Sequence, residues 1–109
     1  MSFIAYSNDT HTVIEVDAPH FDAKTVPSFR QCIDGLDDSL NRCMLLDLTS
    51  VTFMDSSALG ALMALRKTHQ YHTICLITES VPVLQLLKVT KVDQLVTVYP
   101  DLEQAITAN

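Results

Sequence analysis

The stretch at residues 43–70 constrains the fold more than any other, because it joins a segment of strand length to an amphipathic helix. Residues 43–48 form a short apolar run interrupted only by Asp47, which is typical of a strand covered on at least one face. A short polar turn follows, and the triplet Asp-Ser-Ser at 55–57 then opens a helical pattern that continues to residue 70. The stretch therefore predicts a strand, a turn and a helix in direct succession.

Apolar spacing and β-branched content predict the remaining elements. We expect strands at residues 3–6, 12–16, 73–78 and 95–99, and helices at residues 22–36, 83–89 and 101–108. The resulting order, ββαβαβαβα, predicts an α/β fold in which helices pack against a mixed β-sheet with parallel crossovers. The length of 109 residues, without a linker or a repeat, predicts a single domain spanning residues 1–109.

The composition and net charge of the chain argue against several classes of function. The net charge of -6, with only 7 Lys and Arg residues scattered along the chain, opposes binding to nucleic-acid phosphates. No apolar run approaches the roughly 20 residues of a membrane span, and the N-terminus lacks the basic, apolar start of a signal peptide. Cys32, Cys43 and Cys75 are odd in number and lie in apolar contexts, which favours buried, reduced thiols. We therefore expect a soluble, cytoplasmic protein that binds other proteins, and neither nucleic acid nor membrane.

The predicted helix at 56–70 has two distinct sides at about 100° per residue. Large apolar side chains gather on the side that should face the sheet: Leu59, Leu62, Leu65 and, less centrally, Met63. Polar and small residues gather on the other side: Ser56, Ser57, Gly60, Ala64 and Lys67. Such a shallow face admits either the backbone of another protein or a neighbouring helix of the same chain.

The start of this helix is a suitable place for a phosphate. The first N–H groups of a helix lack internal acceptors, and the helix dipole is positive at that end. A phosphate on Ser56 would therefore meet donors and a favourable field. The alternative is that Asp55, Ser56 or Ser57 is simply the N-cap, for which Ser and Asp are favoured residues.

The same residues resemble a known family. Asp47-Leu48 at a strand end, followed by Val-Thr-Phe-Met-Asp-Ser-Ser-Ala-Leu-Gly at 51–60, is similar to the motif of STAS domains, specifically of single-domain anti-sigma factor antagonists. The resemblance extends over essentially the whole chain and includes Asp22 just before the first helix. One departure is Ala58, where the best-known members carry glycine. The resemblance implies that Ser56 is the regulatory phosphorylation site, and we interpret Ser57 as the structural cap.

The resemblance also implies a set of partners and a site. The unphosphorylated protein would bind a serine kinase, itself an anti-sigma factor of the histidine-kinase-like ATPase type, which phosphorylates Ser56 and thereby blocks binding. A PP2C-type serine phosphatase would restore it. The expected partner-binding residues are Asp22, Asp55, Ser56, Ser57, Gly60, Met63, Ala64 and Lys67, with Asp47 as a supporting acidic residue. The output is either release of a sigma factor or a secretion, motility or biofilm and exopolysaccharide circuit.

Other chemistry has weaker support. A serine hydrolase would need a base beside the serine, and the nucleophile pattern GxSxG is absent. The pairs His69 with His72 and His20 with Asp22 each supply only two metal ligands, fewer than zinc sites use. The acidic stretch at 34–38 lacks the ligand spacing of a calcium loop and is better interpreted as a solvated turn. Nucleotide binding has no glycine-rich loop to support it. From these observations together we expect no enzymatic activity, no metal and no cofactor.

Overall fold

The computed structural model describes residues 3–36, 43–70 and 72–109, so that the acidic residues at 37 and 38 lie outside the described part. The strands are β1 (Phe3–Ser7), β2 (Thr12–Val16), β3 (His20–Phe21), β4 (Cys43–Asp47), β5 (Phe53–Met54), β6 (Thr73–Ile77) and β7 (Thr97–Tyr99). The helices are α1 (Val26–Asp34), α2 (Ser56–Thr68), α3 (Val81–Val89) and α4 (Leu102–Ala108), with a short 3-10 helix at Val92–Gln94.

The predicted α/β fold is confirmed. Five strands form one mixed sheet in the order β1-β2-β4-β6-β7, in which only the β1–β2 pair is antiparallel. Helices α1, α2 and α3 lie in the connections between successive parallel strands, as a parallel sheet requires. The central strand β4 is covered on both faces, because Met44, Leu45 and Leu46 are all fully buried.

The two faces of the sheet are covered unequally. The larger core packs one face against α1, α2 and α3 and includes Phe29, Leu62 and Leu87. The smaller core, on the other face, joins Leu45 and Cys75 to residues of α4, which lies over β4, β6 and β7. Burial raises the pKa of Cys75 and of the half-buried Cys32 and Cys43.

A second, two-stranded sheet was not predicted. Strand β3 pairs in parallel with β5, so that His20 lies opposite Phe53 and Phe21 opposite Met54. The carbonyl oxygen of Pro19 accepts hydrogen bonds from the backbone N–H groups of Thr52, at 2.8 Å, and Phe53, at 3.2 Å. Strands of two residues are too short to show a period-2 pattern, which is why the sequence did not reveal them.

Several predicted boundaries differ from the structure by one or two residues, and the start of α1 differs by four. Helix α1 begins at Val26 and not at residue 22, because residues 22–25 form a turn in which the carbonyl oxygen of Asp22 accepts from the N–H groups of Thr25 and Val26, both at 3.0 Å. Strand β7 begins at Thr97 and not at residue 95, because the N–H groups of Leu95 and Val96 bond back to the carbonyl of Val92 in the 3-10 helix, at 2.9 and 3.2 Å.

Phe21 should contribute far more to stability than its neighbour in the small sheet. Its ring is fully buried, with its centroid 5.8 Å from that of Phe3 and 5.1 Å from that of Phe29, whereas Phe53 is 48% exposed. We expect Phe21→Ala to lower the free energy of unfolding by about 3–5 kcal/mol. The matched variant Phe53→Ala should lower it by less than about 1 kcal/mol. Urea denaturation monitored by circular dichroism measures both values, and equal losses would contradict this packing.

Candidate functional site

The first turn of α2 is capped by Asp55. Its backbone is extended, with φ -118° and ψ -177°, and its side-chain Oδ1 accepts a hydrogen bond from the N–H of Ala58 at 3.0 Å. The prediction that Ser57 is the cap is therefore wrong, since Ser57 already lies inside the helix. An N-cap needs a non-helical backbone, and the pairing of β5 with β3 holds the chain extended up to Asp55.

The same carboxylate also makes a long-range contact. Its Oδ2 accepts a hydrogen bond from the backbone N–H of Ala23 at 3.1 Å, across 32 residues of sequence. Asp55 thus ties the turn before α1 to the start of α2. Because an ionised carboxylate accepts through both oxygens, one side chain satisfies two backbone donors from different segments.

The turn before α1 contains the other acidic residue expected at the site. The carboxylate of Asp22 accepts from the N–H of Lys24 at 3.0 Å, and its own N–H donates to the hydroxyl of Thr25 at 2.9 Å. These local bonds shape the turn that presents the N–H of Ala23 to Asp55. The structure therefore brings two predicted site residues, Asp22 and Asp55, into adjoining segments.

Ser56 and Ser57 present their side chains to solvent. Both are exposed, and the described residues offer neither hydroxyl a hydrogen-bond partner. Ala58 and Leu59 use their N–H groups within the cap, bonding to the side chain and the carbonyl of Asp55. The backbone N–H groups of Ser56 and Ser57 have no acceptor within the described part of the chain, so that an anion bound here would find donors.

The two sides of α2 are as predicted. The buried residues on the core side are Ala58, Leu59, Ala61, Leu62 and Leu65. The exposed residues are Ser56, Ser57, Gly60, Ala64 and Lys67, whereas Met63 is half-buried. A Cβ added at Gly60 would meet no atom within 4 Å, so no neighbouring element covers this position among the described residues. The small-residue face at Gly60 is therefore open to an approaching molecule.

Two further predicted residues, Lys67 and Asp47, do not lie at the start of α2. Lys67 is 11 residues along the helix from Ser56, about 16 Å at 1.5 Å per residue. Asp47 is half-buried, and its carboxylate accepts from both the N–H and the hydroxyl of Thr49. Asp47 therefore stabilises the turn that follows β4.

Sequence reasoning missed an exposed aromatic pair beside this site. Phe53 lies three residues before Ser56 in the chain, and the ring centroids of Phe53 and His20 are 5.6 Å apart in an edge-on arrangement. Helix α3 packs beside β5 and carries two further exposed apolar side chains, Val81 and Leu84. No local pattern revealed this surface, because β3 and β5 meet only through tertiary structure.

Of the histidines, His20 lies beside Phe53 near the start of α2, but among the described residues it has no hydrogen bond to Ser56. His69 and His72 lie at the opposite end of α2, with ring centroids 5.1 Å apart, and His69 contacts the carbonyl of Leu65 through Nδ1. The described residues contain no group of three or more His, Cys, Asp or Glu side chains suited to a metal ion. In the same part of the chain, no helix has both the length and the apolar character that a membrane span requires.

The comparison with family models identifies the chain. The model of the STAS domain matches residues 2–105. The chain belongs to the STAS domain family. No curated protein sequence significantly matches this STAS domain.

Solved structures share the fold of this STAS domain at low sequence identity. An anti-sigma factor antagonist from Mycobacterium paratuberculosis matches with 22% identity and a TM-score of 0.86, covering 97% of this chain and 91% of the other. A putative anti-sigma factor antagonist from Thermotoga maritima gives 19% identity and a TM-score of 0.81, covering 97% and 92%. The anti-sigma factor antagonist SpoIIAA in its unphosphorylated form gives 18% identity and a TM-score of 0.78, covering 95% and 92%.

The double role of Asp55 leads to a prediction for Asp55→Asn. Asparagine has one acceptor oxygen for the two N–H donors of Ala58 and Ala23, so one donor loses its partner. We expect the free energy of unfolding to fall by about 1–2 kcal/mol, measured by urea denaturation.

Asp101→Asn is the matched control. Asp101 caps α4 in the same way, accepting from the N–H of Gln104 at 2.8 Å, but its second oxygen binds only the side chain of that residue. Both substitutions remove one negative charge from a helix N-terminus, so that their difference isolates the long-range bond. Equal losses of unfolding free energy in the two variants would show that the bond to Ala23 adds nothing to stability.

Proposed function

We propose that this STAS domain is a phosphorylation-controlled protein-binding switch resembling an anti-sigma factor antagonist, with Ser56 as the phosphoacceptor. The observation that carries the proposal is the exposed hydroxyl of Ser56 at the start of α2, which the described residues leave without a hydrogen-bond partner. A kinase can reach such a hydroxyl without unfolding the helix. The similar structures described as anti-sigma factor antagonists, one of them as an unphosphorylated form, support the same assignment.

The partner in the unphosphorylated state is a serine kinase of the histidine-kinase-like ATPase type, acting as an anti-sigma factor in the cytoplasm. It docks on the start of α2 and on the turn that carries Asp22. The open position at Gly60 lets its backbone approach the helix closely. A PP2C-type phosphatase reverses the modification.

Phosphate acts on this surface through charge and volume. It adds about -1.5 to -2 charges at pH 7 next to the carboxylate of Asp55, which already occupies the N–H of Ala58. The unused N–H groups of Ser56 and Ser57 and the helix dipole tolerate the anion within the domain. A partner surface that fits the neutral hydroxyl of Ser56 would have to bury a hydrated dianion after phosphorylation, and removing water from that charge is costly. Binding is lost while the fold stays unchanged.

Binding, rather than catalysis, is the function that the geometry supports. Within the described part of the chain, no histidine is hydrogen-bonded to Ser56, and His69 lies beyond the far end of α2. A second candidate output, control of a secretion, motility or biofilm circuit, uses the same switch with a different partner. The identity of the kinase bound by the unphosphorylated protein distinguishes the two outputs.

Substitutions at the two serines test the proposal. We expect Ser56→Ala to bind the kinase as the wild type does, and Ser56→Asp to bind at least about tenfold more weakly, a difference of ~1.4 kcal/mol. Isothermal titration calorimetry with the purified kinase measures both affinities. Ser57→Ala and Ser57→Asp are the matched controls on the adjacent exposed serine.

Mass spectrometry of the kinase-treated protein checks the acceptor directly and should locate phosphate on Ser56. Phosphate on Ser57, or a larger loss of affinity for Ser57→Asp than for Ser56→Asp, would overturn the assignment of the acceptor. Equal affinities for all four variants would overturn the switch.

A further inference from the structure

Strand β1 forms one edge of the five-stranded sheet, and in the described part of the chain it pairs with β2 alone. The opposite edge is formed by β7, which is only 3 residues long and is followed by Pro100. Strand β1 is 5 residues long and pairs along its whole length in a continuous register, from Phe3 opposite Val16 to Ser7 opposite Thr12. Its outer side therefore offers a regular row of backbone donors and acceptors.

The edge formed by β1 lacks the features that usually prevent an edge strand from pairing with another chain. Protected edge strands carry lysine, proline or a β-bulge. Strand β1 has the sequence Phe-Ile-Ala-Tyr-Ser, without charge or proline, and its register contains no bulge. Two of its large side chains, Ile4 and Tyr6, are 46% and 49% exposed on the face of the sheet that carries α4, whose main contacts are with β4, β6 and β7. The edge thus combines free backbone groups with apolar side chains.

The hydrogen-bond pattern tells which backbone groups point outward. The N–H of Asn8 donates to the carbonyl of His11 at 3.0 Å, which places this pair among those that exchange bonds across the hairpin. Because such pairs alternate in an antiparallel ladder, Ile4 and Tyr6 also direct their backbone groups toward β2. The backbone N–H and C=O groups of Phe3, Ala5 and Ser7 therefore point away from the sheet.

We propose that two copies of this chain associate by antiparallel pairing of β1 with β1 around a two-fold axis at Ala5. In that register Ala5 pairs with Ala5 of the second copy and Phe3 with Ser7, and each pair exchanges both of its outward backbone bonds. Ile4 then lies opposite Tyr6 of the other copy in a non-hydrogen-bonded pair, the kind in which side chains approach most closely. The exposed apolar side chains of each strand thus cover one another.

A second copy is the occupant that this edge fits best. The register that satisfies the outward groups is its own two-fold image, as an isologous interface requires. Strand β1 itself carries no charge, but acidic groups lie beside the seam: Glu15 is opposite Ile4, and burial together with the carboxylates of Glu15 and Asp47 raises the pKa of Tyr6. The contact is confined to one short strand, and we expect a weak, concentration-dependent dimer. The proposal is independent of phosphorylation, because Ser56 lies on α2 and not on β1.

Engineered cysteines test the register. In the proposed dimer Ala5→Cys lies opposite its own copy, whereas Ser7→Cys lies opposite Phe3, roughly four residues or about 13 Å from the same substitution in the other copy. Oxidation with copper phenanthroline should convert most of the Ala5→Cys protein to a covalent dimer at high concentration. Ser7→Cys and the wild type, which carries the three native cysteines, should give little dimer. Equal cross-linking of the two variants, or none in either, would overturn the proposed register.

Sedimentation measures the association itself. The wild type should show an average mass that rises toward twice that of the monomer with increasing concentration, and Ile4→Lys should remain a monomer. Ala5→Pro should also remain a monomer with an unchanged melting temperature, because its missing N–H is one that points outward. Val89→Lys, which changes an exposed apolar residue on α3, should behave as the wild type. A wild type that stays monomeric at millimolar concentration, or a Val89→Lys variant that alone loses the dimer, would contradict the proposal.

Discussion

The carboxylate of Asp55 is the interaction on which the proposed site depends. One oxygen begins α2 by accepting from Ala58, and the other holds the turn before α1 through Ala23. Without the first bond the helix would start at an uncapped residue, and without the second the turn that carries Asp22 would lose its tie to the helix. This one side chain thus joins the start of the helix that carries Ser56 to the neighbouring acidic turn.

Two backbone contacts reinforce the same junction. The β3–β5 pair and the carbonyl of Pro19 join the segment before α1 to the segment before α2. Phe21 and Met54, which face inward from these two strands, are buried in the main core. The surface of the site is thus anchored in the hydrophobic interior, which favours a switch that acts through local charge over one that acts by refolding.

The sequence predicted those parts of the structure that depend on local periodicity. Helix α2 is 13 residues long, and its pattern is long enough to separate the buried leucines from the exposed serines, Gly60 and Ala64. The N-cap was predicted incorrectly, because Asp55, Ser56 and Ser57 are all residues favoured at a cap. The choice among them is made by tertiary structure, through β5 and the bond to Ala23. The exposed pair of Phe53 and His20 was missed for the same reason, since 33 residues separate its members in sequence.

The central claim is that phosphate on Ser56 alters a docking surface and leaves the domain folded as before. The most direct measurement is a comparison of ¹H–¹⁵N NMR spectra of the protein with serine and with genetically incorporated phosphoserine at position 56. The account predicts shift changes confined to the start of α2, the turn at residues 22–25 and the segment at residues 48–55, which includes β5. Shift changes throughout β4 and β6, or loss of a folded spectrum, would contradict it.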